Sequence, residues 1–568
     1  MSLDSNSLRI STFGKLVIGF FFGVLPASQG ALAQSAAPAV DPREKSETAR
    51  WREDLRFLAD EMPKQHRNLF HTMTREQFEG SVRRLDERIP ALARHQIIVE
   101  MARIVAMVGD GHTNIAPTRD PKIGFRTYPV KLYLFKDGLY VRAASRESAD
   151  LVGARVVRIG RATAEKACDA VREIIGRDNE MDVKFFAPFL LTMPEALHAL
   201  ALIDDMESVP FVVESRGQRR VANLKPSGPA EMMSPDTDVS WLSGPNRVDA
   251  RDDAKRPVPL WLRDPENKFW FEYLPDARAV YVQYNQVANK EDETVEAFAK
   301  RLFAFVEAKP VERLVLDLRL NRGGNGALNR PLLLGIIRST KVDQKGRLFA
   351  ITGRSTWSAA QGLVNELEKY TNATIVGEPT GWKMNSYGDS HRIILPNSGI
   401  SVRVSTLWWQ GDERDRRRWT GPEVAADLTF EDYRTNNDPA LNAALNWVPE
   451  RSLPELLKEA ISANDFKLAA ERDRQWRADP AHAYFDTEVP VNSLGYELMA
   501  AGRLDQAIEV FKMNVAAFPQ SANVWDSLGE AYRAKGDLEA AIRSYQKSLE
   551  LDPNQRSAIE ALRILRGK

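Results

Sequence analysis

The chain has 568 residues, which is enough for several domains that each bury their own core. Lys plus Arg and Asp plus Glu both number 78, so the formal net charge is zero. That balance argues against nucleic acid or an anionic membrane as a partner. Cys168 is the only cysteine, which excludes an internal disulfide and argues against thiol catalysis.

Residues 1–33 have the pattern of a secretory signal peptide. Arg9 and Lys15 precede the apolar run LVIGFFFGVL, and ALA at 31–33 supplies small residues for cleavage. The run is too short to span a bilayer, and no later segment is apolar enough to do so. We therefore expect an exported bacterial protein, periplasmic or secreted, with no integral membrane domain once the signal is removed.

The next three regions differ in their hydrophobic periodicity. Residues 42–120 carry apolar residues three and four apart, which predicts an N-terminal helical domain. Residues 125–225 contain short alternating strands with helices between them, which predicts a small α/β module. Residues 266–450 alternate strands such as RLVLDLRL and LFAIT with helical segments, which predicts an α/β domain with a largely parallel sheet.

The last part of the chain is predicted to be helical, with a helical linker at 451–488 and repeats at 489–568. Gly495 and Gly529 are 34 residues apart, and the same step relates an alanine pair and a proline pair, namely Ala507 and Ala541, and Pro519 and Pro553. A 34-residue helix–turn–helix period is typical of tetratricopeptide repeats. This indicates a C-terminal α-solenoid that docks a protein partner or substrate.

Ser358 follows a predicted buried strand and precedes a predicted helix, in the segment TGRSTWSAAQ. A helix N-terminus offers unpaired N–H groups to a developing oxyanion, so a serine here can be a nucleophile; it can also be only a helix cap. Gly323 and Gly324, in NRGGNG, and Ala359 are the candidate oxyanion donors. The alternative for the two glycines is a tight turn that needs positive φ.

Two residues compete as the general base. His112 lies in GDGHT and has a natural pKa suited to the role, whereas Lys383, in GEPTGWKMN, must first become neutral. The histidines show no metal-ligand spacing such as HExxH, and we expect no metal or other cofactor. The residues alone leave the choice between the two bases open.

With these motifs the chain resembles the tail-specific (carboxy-terminal processing) serine proteases, a family that includes the tricorn core protease. LVLDLRLNRGGN is similar to the family's oxyanion strand and loop, and TGRSTWSAAQ with IVGEPTG is similar to its nucleophile segment. The resemblance implies a crotonase-like α/β protease core at 266–450, a PDZ-like substrate-binding domain at 125–225 and Ser358 as nucleophile.

The resemblance also bears on the base and the activity. Processing proteases use a lysine at the position of Lys383, and tricorn-type members use an earlier histidine, for which His112 is the similar residue. Tyr387 stands where processing proteases have a glutamine that supports the lysine, which favours His112 with Lys383 as a supporting residue. The implied function is an exported serine endopeptidase acting on peptides or proteins. The alternative is a non-catalytic ligand- or partner-binding protein that retains the fold.

Overall fold

The structure, a computed structural model, describes residues 46–229, 241 and 246–567. The predicted signal peptide at 1–33 lies outside these residues. Within the described ranges, no helix combines the length and the apolarity that a membrane crossing requires.

Three helices open the described chain: α1 (Glu47–Gln65), α2 (Arg75–Arg88) and α3 (Arg94–Ala106). Thr74 begins α2 with a capping box, in which its side chain accepts from the N–H of Gln77 and the Gln77 side chain accepts from the N–H of Thr74. The helices bury one face each, and α3 is apolar nearly all round because it lies inside the core. The GDGHT segment follows α3 directly.

A β-rich module with three helices comes next. Its elements are β1 (Arg126–Thr127), β2 (Val130–Phe135), β3 (Gly138–Ser145), β4 (Arg155–Ile159), β5 (Ala162–Thr163), α4 (Ala164–Arg172), α5 (Glu180–Leu190), α6 (Pro194–Ala199), β6 (Val209–Ser215), β7 (Gln218–Leu224), β8 (Gly228–Pro229) and β9 (Arg247–Asp249). Strands β2, β3, β4, β6 and β7 form an antiparallel sheet in that order, and this module shares one apolar core with α1 to α3.

The largest α/β part is built from α7 (Leu260–Arg263), β10 (Phe269–Leu274), β11 (Ala279–Tyr284), α8 (Val295–Ala308), β12 (Arg313–Asp317), α9 (Arg330–Arg338), β13 (Leu348–Thr352), α10 (Ala359–Tyr370), β14 (Thr374–Gly377), β15 (Asn385–Ile394), β16 (Ser401–Gln410), β17 (Val424–Ala425), α11 (Phe430–Arg434) and α12 (Pro439–Leu445). Among the described residues its main sheet has the order β10-β11-β12-β13-β14-β17, with only the β10–β11 pair antiparallel. The predicted α/β class with a largely parallel sheet is confirmed.

The strands of this sheet are apolar on both faces because both faces are covered. In β13, Leu348 and Ala350 pack toward α8, α9 and α10, whereas Phe349 and Ile351 pack toward α12. Such double burial is typical of parallel sheets with helical crossovers. The carboxyl ends of β12 and β13 therefore open at the same edge of the sheet, where ligands bind in folds of this kind.

Strands β15 and β16 leave the main sheet and form a separate antiparallel hairpin, which we call the hairpin arm (385–410). Its far half, including Ile393, Val402 and Val404, is buried in the core formed by the N-terminal helices and the β-rich module. Asn114, two residues after His112, exchanges two backbone hydrogen bonds with Arg403 of β16. The arm thus joins the largest α/β part of the chain to the GDGHT segment.

The tail consists of α13 (Leu453–Ser462), α14 (Phe466–Ala478), α15 (Glu488–Ala500), α16 (Leu504–Ala517), α17 (Ala522–Lys535), α18 (Leu538–Leu551) and α19 (Arg556–Leu565). The 34-residue step has a direct structural cause: Gly495 lies against the ring of Phe511, and Gly529 against that of Tyr545. Helices α13 and α14 share a core with α15 and α16, so the segment predicted as a linker packs as part of the solenoid.

Replacing Gly495 by alanine is expected to destabilise the tail. A Cβ at this position would lie 2.4 Å from Phe511 Cε1, so the helices would have to separate. Overpacking of this kind costs roughly 1–3 kcal/mol in the free energy of unfolding. The loss in the free energy of unfolding is measured by denaturant unfolding monitored by circular dichroism. The matched control is Gly362→Ala in α10, where no atom lies within 4 Å; equal destabilisation by both variants would contradict the packing argument.

Candidate active site

Ser358 occupies a strained position between β13 and α10. Its backbone has φ 52° and ψ −124°, which a residue with a side chain rarely adopts, and it stands as the cap of α10 without a side-chain capping bond. Strain of this kind costs about 1–3 kcal/mol and is concentrated at functional sites. The segment is held by Thr356, whose hydroxyl donates to the Leu318 carbonyl and accepts from the Gly353 N–H. The serine hydroxyl is therefore presented on a sharp strand-to-helix turn, as nucleophilic serines are in several hydrolases.

The glycine loop after β12 lies directly against this serine. A Cβ on Gly323 would be 2.7 Å from Ser358 Cβ and 2.8 Å from the Ala359 nitrogen, and a Cβ on Gly324 would be 2.3 Å from the Val287 carbonyl oxygen. Both glycines have positive φ, at 98° and 136°. Close approach and backbone conformation together require glycine at both positions.

The three predicted oxyanion donors are not equivalent. The Gly323 N–H donates to Asn321 Oδ1 at 2.9 Å, so this amide is occupied, contrary to its predicted availability. For the amides of Gly324 and Ala359, the described residues supply no hydrogen-bond acceptor. These two N–H groups remain available for a ligand, and that of Ala359 directly follows Ser358 in the chain.

Asn321 is a site residue that the sequence analysis does not identify. Its Oδ1 fixes the Gly323 amide, its Nδ2 donates to the Tyr284 carbonyl at the end of β11, and its own carbonyl accepts from the N–H of Trp357. It joins the glycine loop, the main sheet and the residue before Ser358. An asparagine after a strand is usually interpreted as a turn residue, so only the three-dimensional contacts show that Asn321 connects these three segments.

His112 lies beside the nucleophile segment. Its ring stacks on that of Trp357 with centroids 4.1 Å apart and an interplanar angle of 4°, and the Trp382 ring lies 5.1 Å away. Burial lowers the pKa of His112 from its ordinary 6.5 to about 4, although the Asp110 carboxylate acts in the opposite direction. The imidazole is therefore neutral near pH 7 and can accept a proton. Within the described residues it makes no hydrogen bond to Ser358, and catalytic bonds are often long before substrate binds.

The turn that carries His112 is fixed by a buried polar network around Asp110. Asp110 Oδ1 accepts from the Thr113 N–H and the Ser405 hydroxyl, and Oδ2 lies 2.9 Å from His66 Nε2. Burial by itself would raise the pKa of Asp110, but the hydrogen bonds from His66 and Ser405 hold it below its ordinary value. An ionised, fully bonded aspartate thus anchors the turn to α1 and to the hairpin arm.

His66, His71 and Asp110 place one ligand atom each within 4.8 Å of one another, as a metal site would. The hydrogen bonds oppose that interpretation. Because His66 Nδ1 accepts from the Asn68 N–H, Nε2 carries the ring proton and donates to Asp110. A histidine ligand ordinarily donates through its second nitrogen, which here faces a donor. We therefore assign His66 to the anchoring of Asp110.

Lys383 directly follows Trp382, whose ring lies against that of His112. Its side chain is 30% exposed, and its Nζ is 3.9 Å from Asp178 Oδ1. Asp178 Oδ2 also accepts from the Gly111 N–H at 2.9 Å, one residue before His112. Burial raises the pKa of Asp178 to about 7, against the opposing attraction of Lys383. The structure places Lys383 near the site, in polar and partly open surroundings. Asp178 is a second site residue that the residue pattern does not reveal.

The C-terminal part of the chain and its body are similar to different known proteins. Residues 492–556 match the family model described as a tetratricopeptide repeat. The tetratricopeptide repeat domain-containing protein PYG7, chloroplastic, of Arabidopsis thaliana is 34% identical over 92 residues, 16% of this chain and 29% of that protein. Superkiller complex protein 3 of Mus musculus is 38% identical over 56 residues, 10% of this chain and 4% of that protein. The predicted tetratricopeptide tail is confirmed, and the chain spans only a minor part of these relatives.

Solved structures similar to the body of the chain include proteases. Mature CPAF complexed with lactacystin has a TM-score of 0.49 at 13% identity and covers 70% of this chain and 99% of that one. The photosystem II D1 C-terminal processing protease has a TM-score of 0.30 at 14% identity, covering 68% and 94%. Likeness at this level does not assign an activity, so the function is argued from the residues of the site.

Proposed function

We propose that this chain is a serine-type peptidase with Ser358 as its nucleophile. The observation that carries the proposal is the strained backbone of Ser358 at the start of α10, packed against the Gly323 loop, where the Gly324 and Ala359 amides have no acceptor among the described residues. Acyl transfer needs a hydroxyl nucleophile and N–H donors for the oxyanion, and Ser358 with the Gly324 and Ala359 amides supplies both in this proposal.

The reaction follows from these positions. Ser358 Oγ forms a bond to the carbonyl carbon of the substrate while its proton passes to the neutral His112 ring. The amides of Gly324 and Ala359 donate to the oxyanion of the tetrahedral intermediate. The His112 proton then goes to the leaving amine as the C–N bond breaks, and water completes the second half by the reverse sequence. Trp357, stacked on the imidazole, holds the base beside the nucleophile segment.

The other parts of the chain have supporting roles in this proposal. The β-rich module binds the end of a substrate chain, which adds a strand to the edge of its sheet, as peptides do on PDZ-like domains. The tetratricopeptide tail docks a protein partner or substrate. The segment at 1–33 directs the protein to the periplasm or outside the cell. A non-catalytic binding protein remains the second candidate, because Ser358 and His112 make no direct hydrogen bond among the described residues.

A fluorophosphonate probe tests the proposed nucleophile. Purified protein is expected to be labelled at Ser358, and Ser358→Ala is expected to abolish labelling, because the probe reacts only with an activated serine hydroxyl. Ser462→Ala, at the exposed end of α13, is the matched control and should label like the wild type. Labelling that survives Ser358→Ala, or that never occurs in folded protein, favours the non-catalytic alternative.

A further inference from the structure

The ring of the proposed base is oriented without a hydrogen bond to its buried nitrogen. His112 Nδ1 is buried and has no hydrogen-bond partner within the described residues, so no acceptor fixes the ring through that atom. The ring is held instead by its stack on Trp357 and by the backbone of the GDGHT turn. The position of this turn therefore decides where the imidazole lies.

Gly111, the residue before His112, lies against both the Trp357 ring and the Asp178 carboxyl group. A Cβ on Gly111 would be 2.7 Å from Trp357 Cζ2 and 3.0 Å from Asp178 Oδ2. The Gly111 N–H donates to the same Asp178 oxygen at 2.9 Å. Asp178 therefore bonds the turn at the point where the turn packs on the ring that stacks with the imidazole.

Asp178 is itself fixed by the start of α5. Its N–H donates to Asp182 Oδ2 at 2.8 Å, within the first turn of the helix. Asn179, the cap of α5, donates through Nδ2 to the Thr380 carbonyl at 3.1 Å. The segment that carries Asp178 is thus joined to the loop before Lys383 as well as to the GDGHT turn.

The hydrogen bond to Gly111 does not depend on the charge of the carboxyl group. Burial raises the pKa of Asp178 to about 7, and Asp110 acts in the same direction, whereas Lys383 opposes both. The pKa of Asp182 is raised as well, by burial and by Asp178. Asp178 Oδ1 makes no hydrogen bond within the described residues, so a proton can occupy Oδ1 while Oδ2 still accepts from Gly111.

We propose that Asp178 is a positioning residue of the peptidase: through the Gly111 N–H it holds the His112 ring in its stack on Trp357. The inference rests on the proposed function and deepens it, because it names the group that keeps the base in place. Without this acceptor the turn is released, and the His112 ring leaves its buried stack and becomes hydrated.

The pKa of the His112 ring tests this anchor without an activity assay. Protein labelled with 13C at histidine is titrated by NMR, and the His112 signal is identified by its absence in His112→Ala. The wild-type ring is expected to titrate at about 4, and the ring in Asp178→Ala at least about one pH unit higher, because it is no longer buried. Loss of a negative charge alone would lower this pKa, so a rise reports release of the ring.

The second readout is kcat. Asp178→Ala is expected to lower kcat by about tenfold to 10²-fold with KM nearly unchanged, which is the effect of a misplaced catalytic group. Asp178→Asn keeps an oxygen for the Gly111 N–H, so it should restore the wild-type pKa of His112 and most of kcat. Rescue by this variant separates the acceptor from the charge.

Asp54→Ala is the matched control. Asp54 is fully buried, and its Oδ2 accepts from the Ser398 N–H, in the turn of the hairpin arm, at 2.9 Å. This variant loses a buried carboxyl group bonded to a backbone amide, as Asp178→Ala does, and both should unfold at lower denaturant concentration than the wild type. The pKa of His112 and kcat should nevertheless stay at their wild-type values in Asp54→Ala.

An unchanged His112 pKa in folded Asp178→Ala overturns the anchor and leaves the peptidase proposal standing. The same rise in Asp178→Asn or in Asp54→Ala also overturns it. Failure of Asp178→Ala to fold assigns the bond to the fold alone and overturns the positioning role. Wild-type protein that neither cleaves peptides nor is labelled at Ser358 overturns both proposals.

Discussion

The His112→Ala variant is expected to lower kcat/KM by roughly 10³-fold or more, the loss that follows removal of a general base from a serine nucleophile. A Lys383→Met variant, similar in length but uncharged, is expected to lose about tenfold or less. Initial rates on a peptide substrate measure both, and His391→Ala on the exposed face of β15 is the matched histidine control.

The difference between the two variants follows from their surroundings. The His112 ring stacks on the residue before Ser358, and its lowered pKa leaves it neutral near pH 7, as the proposed base must be. A lysine base needs desolvated surroundings that favour the neutral amine. The Lys383 side chain is instead partly exposed, with its Nζ beside the Asp178 carboxyl. A larger loss in Lys383→Met than in His112→Ala would show that the lysine is the base.

The pH dependence of wild-type activity also tests His112 as the base. Because burial lowers the pKa of His112 to about 4, kcat/KM should hold through pH 6.5 and fall only as the pH approaches 4. The same group makes folding less favourable in acid: between about pH 6.5 and 4 the unfolded chain binds a proton that the folded chain does not, so its contribution to stability is lost as the pH falls through this window. Enzyme held at each pH and returned to neutrality controls for unfolding.

The features predicted from the sequence are those with a local cause. The alternation of apolar strands with helices indicates a parallel sheet that is buried on both faces. The 34-residue step arises because Gly495 and Gly529 each pack against an aromatic ring. Ser358 is recognised because a strand gives way to a helix there. The strand and helix patterns can be recognised within a few residues of the chain, and the repeat can be recognised from one 34-residue period.

The features that escape prediction depend on contacts between distant segments. The hairpin arm is hard to recognise because β15, with the sequence NSYGDSHRII, is rich in residues that disfavour strands. Its pairing with Asn114 brings the GDGHT turn to the site across almost 300 residues, and the same distance separates Asp110 from Ser405. Likewise, the Gly323 amide is excluded as an oxyanion donor only by the orientation of the Asn321 side chain.

The Gly323→Ala variant is expected to lose roughly 10²–10³-fold in kcat/KM, as sites do when their oxyanion donors are displaced. The new Cβ would lie 2.7 Å from Ser358 Cβ and 2.8 Å from the Ala359 nitrogen, so the serine and one of the two free amides must move. The backbone at φ 98° adds strain that alanine does not tolerate well.

Gly326→Ala distinguishes this effect from general damage to the loop. Its Cβ would meet only Ala359 Cβ, at an ordinary 3.7 Å, so activity should stay within about threefold of the wild type. Fluorophosphonate labelling rates and thermal unfolding, measured on both variants, separate loss of the site from loss of the fold. A folded Gly323→Ala protein with full activity would mean that the reacting atoms do not lie between the glycine loop and Ser358. In that case the close packing of Gly323 on the serine would serve only to join the loop to α10.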